Sequence, residues 1–322
     1  ERIRSWKVPI ALTIFTALFA ILLANVIVLI PLTLNAFPGT KFGIPFPVVL
    51  RSSFGILGSN VPCLVRALVG CGWFGIQTMF GGLAIHLLLS ELIPAWAALG
   101  GVGEVIGFFV FGAMNLYVVI RGAESIKWLE TLAAPLLLAV GVGLMMWAWP
   151  HMSMTELLAQ PPSRPEGASV YGYFFAGLTA MVGFWATMAL NIPDFTRFAK
   201  SQKDQMLGQA IGLPLPMALF AFIGVAVTSA TVTIYGEAIW DPVALAGRMG
   251  GMGVVFALAA LALATLTTNL AANMVAPAYG FSNMAPSKIS FRMGGYITAG
   301  IGVAIFPWKL LETAGGQLVT WL

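Results

Sequence analysis

The stretch of sequence that decides the fold is residues 66–89, R-A-L-V-G-C-G-W-F-G-I-Q-T-M-F-G-G-L-A-I-H-L-L-L. It is long and apolar enough to cross a bilayer as a helix, which takes about 20 residues. Trp73 and Gln77 lie near its middle and project from one helical face, because residues four apart are stacked one turn above the other. An aromatic plane beside an amide that donates and accepts hydrogen bonds is typical of a pocket for a planar polar ligand.

Two glycines flank this pair on roughly the same side of the helix. Because they carry no side chains, Gly70 and Gly81 predict open space beside Trp73 and Gln77. The alternative is that the glycines let neighbouring helices approach closely and that the tryptophan packs inside the protein. From these residues alone, both interpretations stay open.

The composition places the chain in the membrane. Of its 322 residues, 59% are hydrophobic and 9% are charged, whereas a soluble domain has about 25% charged residues. The formal net charge of +4 is too small and too scattered to indicate a nucleic-acid partner. The sequence therefore predicts an all-α, polytopic integral membrane protein whose surroundings are the lipid bilayer.

Hydropathy predicts a single transmembrane domain over residues 1–322, with about eight spans and no appended soluble domain. The expected spans are residues 9–36, 62–89, 104–120, 130–149, 171–190, 208–234, 252–277 and 293–308.

The loops alternate in charge. Ten basic residues fall in the loops on one side of the membrane, whereas the loops on the other side hold only Arg164 and Arg248. The positive-inside rule assigns the side with the ten basic residues to the cytoplasm. We therefore expect a multi-pass protein of the cell (inner) membrane. The basic residues of the cytoplasmic side are Lys41, Arg51, Arg66, Arg121, Lys127, Arg197, Lys200, Lys203, Lys288 and Arg292.

Catalytic signatures are missing from the sequence. It has no HExxH motif, no Gly-x-Ser-x-Gly motif and no paired aspartates within a predicted span, so we do not expect an enzyme. Glu104 and Glu130 fall at span ends. His86 lies well inside a span, where a lone histidine is more often packed and hydrogen-bonded than a proton carrier.

The fifth predicted span carries a second internal tryptophan. Gly177 and Gly183 predict interruptions of this helix, and 191–193 (N-I-P) predicts its end. Interrupted helices are typical of transporter sites, because unwound backbone can face a ligand there. If this helix faces residues 66–89, Trp185 and Trp73 can hold a planar ring between them. The alternative is that Trp185 packs against neighbouring helices.

The seventh predicted span is rich in side-chain oxygen. Ala264, Thr267 and Thr268 fall within about 100° of one another on a helix. Hydroxyl and carbonyl oxygens are the ligands that a hard cation such as sodium prefers. Asn269 and Asn273 form a separate polar face. The alternative has the threonine hydroxyls bonded to carbonyls one turn back, and the asparagines holding helices together.

The sequence resembles the nucleobase–cation symporters, the group of hydantoin, allantoin, uracil and related permeases. The similarity extends through nearly the whole chain. It rests on five runs, at residues 35–55, 66–78, 121–130, 191–198 (N-I-P-D-F-T-R-F) and 269–279 (N-L-A-A-N-M-V-A-P-A-Y).

The resemblance implies a LeuT-type core of two inverted five-helix repeats. It also implies roles for residues of this chain. The ring of the substrate would stack between Trp73 and Trp185, and Gln77 and Asn273 would bond its lactam groups. Sodium would bind at Ala264, Thr267 and Thr268.

Against the family pattern, the eight expected spans resemble the second to ninth helices. The first helix and the last helices are not recognised, so we expect an incomplete LeuT-type core. The basic residues Arg2, Arg4 and Lys7 also oppose the positive-inside rule unless a further helix separates them from the first span.

The sequence thus predicts a secondary active transporter. It would carry a nucleobase or related heterocycle (uracil, allantoin or hydantoin) by alternating access, coupled to sodium and without any other cofactor. The alternative is a truncated, non-transporting membrane protein or assembly partner derived from such a transporter. Gln77 and Asn273 each donate and accept, so they do not distinguish the three heterocycles.

Overall fold

A computed structural model describes residues 2–151, 169–248 and 252–309. In this part of the chain the secondary structure is helical throughout, as expected. The α-helices are α1 (Arg2–Phe42), α2 (Phe46–Gly58), α3 (Asn60–Leu92), α4 (Pro94–Ala97), α5 (Gly101–Arg121), α6 (Ala123–Ala148), α7 (Val170–Asn191), α8 (Pro193–Thr196), α9 (Gln202–Gly212), α10 (Pro214–Tyr235), α11 (Pro242–Arg248), α12 (Met252–Asn269), α13 (Val275–Met284) and α14 (Phe291–Ala304). A 3₁₀ turn covers Trp149–His151 and a π-helical turn, the π segment, covers Leu270–Met274.

Seven helical stretches among the described residues are long and apolar enough to cross a membrane. The eighth expected span corresponds to α14, which has 14 residues. The all-α membrane architecture expected from hydropathy is therefore confirmed. The seven stretches are Ala17–Phe42, Asn60–Leu92, Gly101–Arg121, Ala123–His151, Phe174–Asn191, Gln202–Tyr235 and Gly253–Met284.

The helices pack as two groups. In the first group α1 lies along α7 and also contacts α8, α9 and α10. In the second group α3 contacts α5, α12, the π segment, α13 and α14. Helix α6 contacts α10 in the first group and α5 and α12 in the second. The long helices therefore form two groups, with α6 beside both.

Each group has its own apolar core. In the first group, Val28 and Leu32 of α1 pack with Ala189 and Leu213. The core of the second group contains Phe74 of α3, Phe111 of α5 and Met274 of the π segment. Because the cores are separate, the boundary between the groups is free to hold polar side chains.

The expected interruption of the fifth span is wrong in its position. Helix α7 runs unbroken through Gly177 and Gly183, since a glycine inside a helix costs only about 1 kcal/mol relative to alanine. The helix ends at Asn191 and α8 begins at Pro193. Proline lacks an N–H and crowds the preceding turn, which explains why the break falls there.

Candidate functional site

Trp73 and Gln77 lie on one face of α3, as their spacing predicts, and both are half-buried. The Oε1 atom of Gln77 is buried and has no hydrogen-bond partner among the described residues. Buried polar atoms in proteins are nearly always paired, so this oxygen is available to a donor from a ligand or from water.

Trp185 is the corresponding residue of the first group. Its ring meets Phe184 edge-on, with centroids 5.6 Å apart, and packs against the core that contains Val28 and Leu32. Its Nε1 atom is buried and, within the described part of the chain, has no acceptor. Trp73 and Trp185 therefore belong to different helix groups. Trp73 lies one turn from the unpaired Oε1 of Gln77, and Trp185 itself carries the unpaired Nε1.

The open space expected beside the two glycines of α3 is absent. A Cβ atom at Gly70 would come within 2.5 Å of Cγ of Pro277, and one at Gly81 would meet the ring of Phe111. Both glycines allow α13 and α5 to approach α3 closely, which was the alternative interpretation.

Asn273 lies in the π segment and is buried. Its Nδ2 donates to Oδ1 of Asn269 at 3.1 Å. Asn269 in turn donates to Oγ1 of Thr78, at 3.2 Å, on α3. The two asparagines thus hold the π segment against α3, and π turns of this kind are frequent at functional sites. Asn273 is fixed relative to Gln77, the residue before Thr78.

The three candidate cation ligands differ in exposure. Thr267 is buried, and its hydroxyl donates to the carbonyls of Ala264 and Leu263 at 3.0 and 3.2 Å. Thr268 is exposed. A hydroxyl that donates to a carbonyl keeps its lone pairs, so these oxygens fit a hard cation chemically, but they supply only part of a coordination shell. The assignment of Ala264, Thr267 and Thr268 stays a prediction.

Of two ionisable residues in the spans, Glu130 differs from its expected setting and His86 agrees with it. Glu130 lies two turns inside α6 rather than at a span end, and its Oε1 is buried with no partner among the residues described. His86 accepts a hydrogen bond from Nε1 of Trp96 at its Nδ1, at 3.0 Å. Since tryptophan only donates, this bond fixes a neutral ring with the proton on Nε2. His86 is thus packed and hydrogen-bonded, as the commoner case predicts.

A buried polar cluster at the start of α3 was not predicted. Arg66, interpreted as a loop-side residue, is buried in the second turn of α3. Its Nε donates to Oδ1 of Asn191 at 3.1 Å and its Nη2 to the carbonyl of Ala272 at 2.7 Å. The available signal was spacing, because Arg66 lies two helical turns before Trp73 on the same face.

Asp194 of α8 completes this cluster. Its Oδ1 accepts the backbone N–H of Phe46 at 2.9 Å, at the first residue of α2. Its Oδ2 is buried without a partner in the described ranges. Burial raises the pKa of the Asp194 carboxyl to about 8, although the charges of Arg197 and Arg66 act in the opposite direction. Asp194 is therefore mostly protonated near neutral pH.

Comparison with known proteins adds the family. Residues 5–322 match the family described as permeases for cytosine and purines, uracil, thiamine and allantoin. This chain belongs to that permease family. The family contains permeases and not enzymes, in agreement with the motifs that the sequence lacks.

Two relatives illustrate the similarity of this chain to other members of the family. The chain is 46% identical to the purine-uracil permease NCS1 of Arabidopsis thaliana over 309 residues, which cover 93% of this chain and 51% of the relative. It is 41% identical to the allantoin permease of Bacillus subtilis over 317 residues, covering 95% of this chain and 65% of the relative. The chain thus spans about half to two thirds of the length of these relatives.

Solved structures give the fold of this chain. Mhp1, a nucleobase-cation-symport-1 family transporter, in a closed conformation with bromovinylhydantoin bound, is 28% identical over 91% of this chain and 65% of its own, with a TM-score of 0.76. The inward-facing conformation of Mhp1 is 27% identical over 94% of this chain and 66% of its own, with a TM-score of 0.68. The fold is therefore LeuT-type.

Proposed function

We propose that this permease carries a planar heterocycle with lactam groups, of the uracil, allantoin or hydantoin kind, together with sodium. Transport follows alternating access, in which the two helix groups rock about a central site. The observation that carries the proposal is the buried, unpaired Oε1 of Gln77, one turn from Trp73 on the same face of α3. A ring N–H group of the substrate satisfies this oxygen.

In this site the ring stacks between Trp73 and Trp185, and Gln77 and Asn273 bond its edges. Aromatic stacking on a base contributes about 1–3 kcal/mol. Because Asn269 and Thr78 already fix Asn273 relative to α3, little ordering of this amide opposes binding. Relatives named for purine and uracil and for allantoin, and a relative with a bound hydantoin, support this class of substrate.

The coupling ion in this proposal is sodium. It binds to the carbonyl of Ala264 and to the hydroxyls of Thr267 and Thr268, with further oxygen atoms completing its shell. Protons are the competing coupling ion, because Glu130 is a partly buried carboxyl group inside α6 with an unpaired oxygen. Sodium is favoured since three oxygen donors lie close together on α12, whereas Glu130 stands alone.

The proposed location is the cell (inner) membrane. A non-transporting membrane protein or assembly partner is the second candidate function. It is disfavoured because such a protein has no need for an aromatic ring and an unpaired amide oxygen one turn apart on a single helix face, as Trp73 and Gln77 are.

Uptake in vesicles tests the proposal. The complete gene product that carries this chain is reconstituted, and accumulation of labelled uracil, allantoin and hydantoin is followed with an inward sodium gradient. We expect one of the three to accumulate against its gradient, and Glu130→Gln to leave this accumulation unchanged. Uptake that does not depend on the sodium gradient, depends on a proton gradient and is lost in Glu130→Gln would assign the coupling to protons. If none of the three accumulates with either gradient, the non-transporting alternative is favoured.

A further inference from the structure

Arg66 is a charged residue in an unusual position. It is 6% exposed, lies inside a membrane-spanning helix and shares a helical face with Trp73. A charged side chain within a membrane span is costly, and such residues usually mark a functional path or pair with polar groups of neighbouring helices. What Arg66 binds therefore indicates what it does.

The guanidinium of Arg66 joins the three elements that carry the proposed substrate residues. It belongs to α3 with Trp73 and Gln77. Its Nε donates to Asn191, the last residue of α7, the helix of Trp185. Its Nη2 donates to the carbonyl of Ala272 in the π segment, immediately before Asn273.

One of these two bonds crosses the boundary between the helix groups. Asn191 belongs to the first group, whereas α3 and Ala272 belong to the second. Nearby, the guanidinium of Arg197 lies 5.2 Å from the centre of the Tyr279 ring, which is a second contact across the same boundary. Both contacts lie on the side of the membrane that carries the basic loops. When the groups separate on that side, the bond from Arg66 to Asn191 must break, but its bond to Ala272 need not.

We propose that the Arg66–Asn191 hydrogen bond is a latch that keeps the site closed on the side of the basic loops. Arg66 is at the same time a positioning residue, because its bond to Ala272 holds the turn that presents Asn273. The proposal rests on the proposed function for the identity of the substrate site. The latch itself depends only on the contacts between the helix groups.

The residue type at position 191 suits a latch that opens. An asparagine oxygen is a neutral acceptor for the guanidinium. A carboxylate there would form a charge-assisted bond about twice as strong. Replacing Asn191 by alanine or by aspartate therefore changes the latch in opposite directions, which a general loss of stability does not do.

Cys63 provides a reporter of opening. It lies one turn before Arg66 in α3 and is 1% exposed. The chain has two cysteines, so Cys71→Ser leaves Cys63 as the single thiol of this chain. The rate of its alkylation by N-ethylmaleimide, measured without substrate, follows how often the side of the basic loops opens. Any thiols elsewhere in the complete gene product are replaced by serine.

We expect Asn191→Ala to speed alkylation of Cys63 by at least about fivefold, the change in an equilibrium constant when one ordinary hydrogen bond is lost. Asn191→Asp slows it. The matched control is Asn115→Ala, because Asn115 is equally buried but bonds only to Phe111 within α5, at 2.9 Å, in the contacts described. Thermal unfolding of each variant confirms that it is folded.

The latch would be overturned if both Asn191 variants changed the alkylation rate of Cys63 in the same direction, or if neither variant changed it. The positioning role is tested separately, by the substrate affinity of Arg66→Lys. The lysine keeps the charge but presents only one donor atom. We expect weaker binding than in the wild type by about fivefold or more, and no change of affinity would refute that role. A latch confirmed by Cys63 in a protein that binds none of the three heterocycles would leave the latch standing and refute the proposed function.

Discussion

Asn273 and Thr78 are joined through a single side chain, since Asn269 accepts from Nδ2 of Asn273 at 3.1 Å and donates to Oγ1 of Thr78 at 3.2 Å. Thr78 follows Gln77 in α3. The amide of Asn273 and the amide of Gln77 therefore keep a fixed relation within the second helix group, whatever the first group does. A ligand that bonds to both amides stays with the second group while the first group rocks.

The first prediction concerns Gln77. Gln77→Leu removes a buried amide that pairs with the ligand, so the heterocycle is left with an unpaired polar group. We expect the affinity to fall by about 1–3 kcal/mol. Isothermal titration of the purified protein measures the change. The matched control is Gln202→Leu, because the Gln202 side chain bonds to the carbonyl of Phe37 within the first helix group. An equal loss of affinity in the control would remove Gln77 from the site.

The second prediction concerns the cation. By linkage, sodium must raise substrate affinity by the same factor by which substrate raises sodium affinity. The double substitution Thr267→Ala with Thr268→Ala removes two ligand oxygens, and we expect this mutual effect to vanish while binding without sodium stays nearly unchanged. Thr265→Ala is the control, since its hydroxyl bonds to the carbonyl of Leu261 at 2.8 Å on the same helix. A sodium effect that survives the double substitution would place the cation elsewhere.

The third prediction concerns pH and Asp194, which lies between two membrane-spanning stretches. Burial raises the pKa of its carboxyl in the folded protein to about 8, above the value of 3.8 for the free side chain. The folded state therefore binds the proton more tightly. Below the lower pKa, that of the free side chain, the folded state has the full stabilisation from this proton. The stabilisation is lost as the pH rises through the higher pKa, that of the folded protein.

We thus expect the unfolding temperature to fall between about pH 6 and about pH 8, and the fall to be smaller in Asp194→Asn. An asparagine can still accept the N–H of Phe46, so the end of α2 keeps its bond. Asp204→Asn serves as the control, because Asp204 is exposed in the first turn of α9. Parallel profiles for the wild type and Asp194→Asn would contradict the raised pKa.

Local pattern was enough to predict the helical membrane architecture and to put Trp73 and Gln77 on one face of α3, whereas the eighth expected span has only 14 residues. Helical periodicity depends only on near neighbours in sequence, so it can be read directly. The role of Gly70 could not be obtained this way, since the space beside a glycine is filled by a distant residue, here Pro277. Gly183 misled because a glycine weakens a helix without ending it.

Arg66 was missed for a related reason. A basic residue near the start of an apolar helix is usually at the membrane surface, and the spacing that puts Arg66 on the face of Trp73 does not by itself show that it is buried. Its partners, Asn191 and the carbonyl of Ala272, come from helices far along the chain. The burial of a charge depends on such partners, so it becomes visible only when the helices are assembled.

The central claim, that a planar ring binds between two tryptophans on opposite helix groups, is tested most directly by tryptophan fluorescence. Uracil, allantoin and hydantoin are titrated into the wild type, Trp73→Ala, Trp185→Ala and, as the control, Trp128→Ala, which removes an exposed tryptophan of α6. The account predicts that one of them quenches the wild type and the control, and that each of the other two substitutions removes most of the quench and the binding. A quench that persists with unchanged affinity in both Trp73→Ala and Trp185→Ala would contradict it.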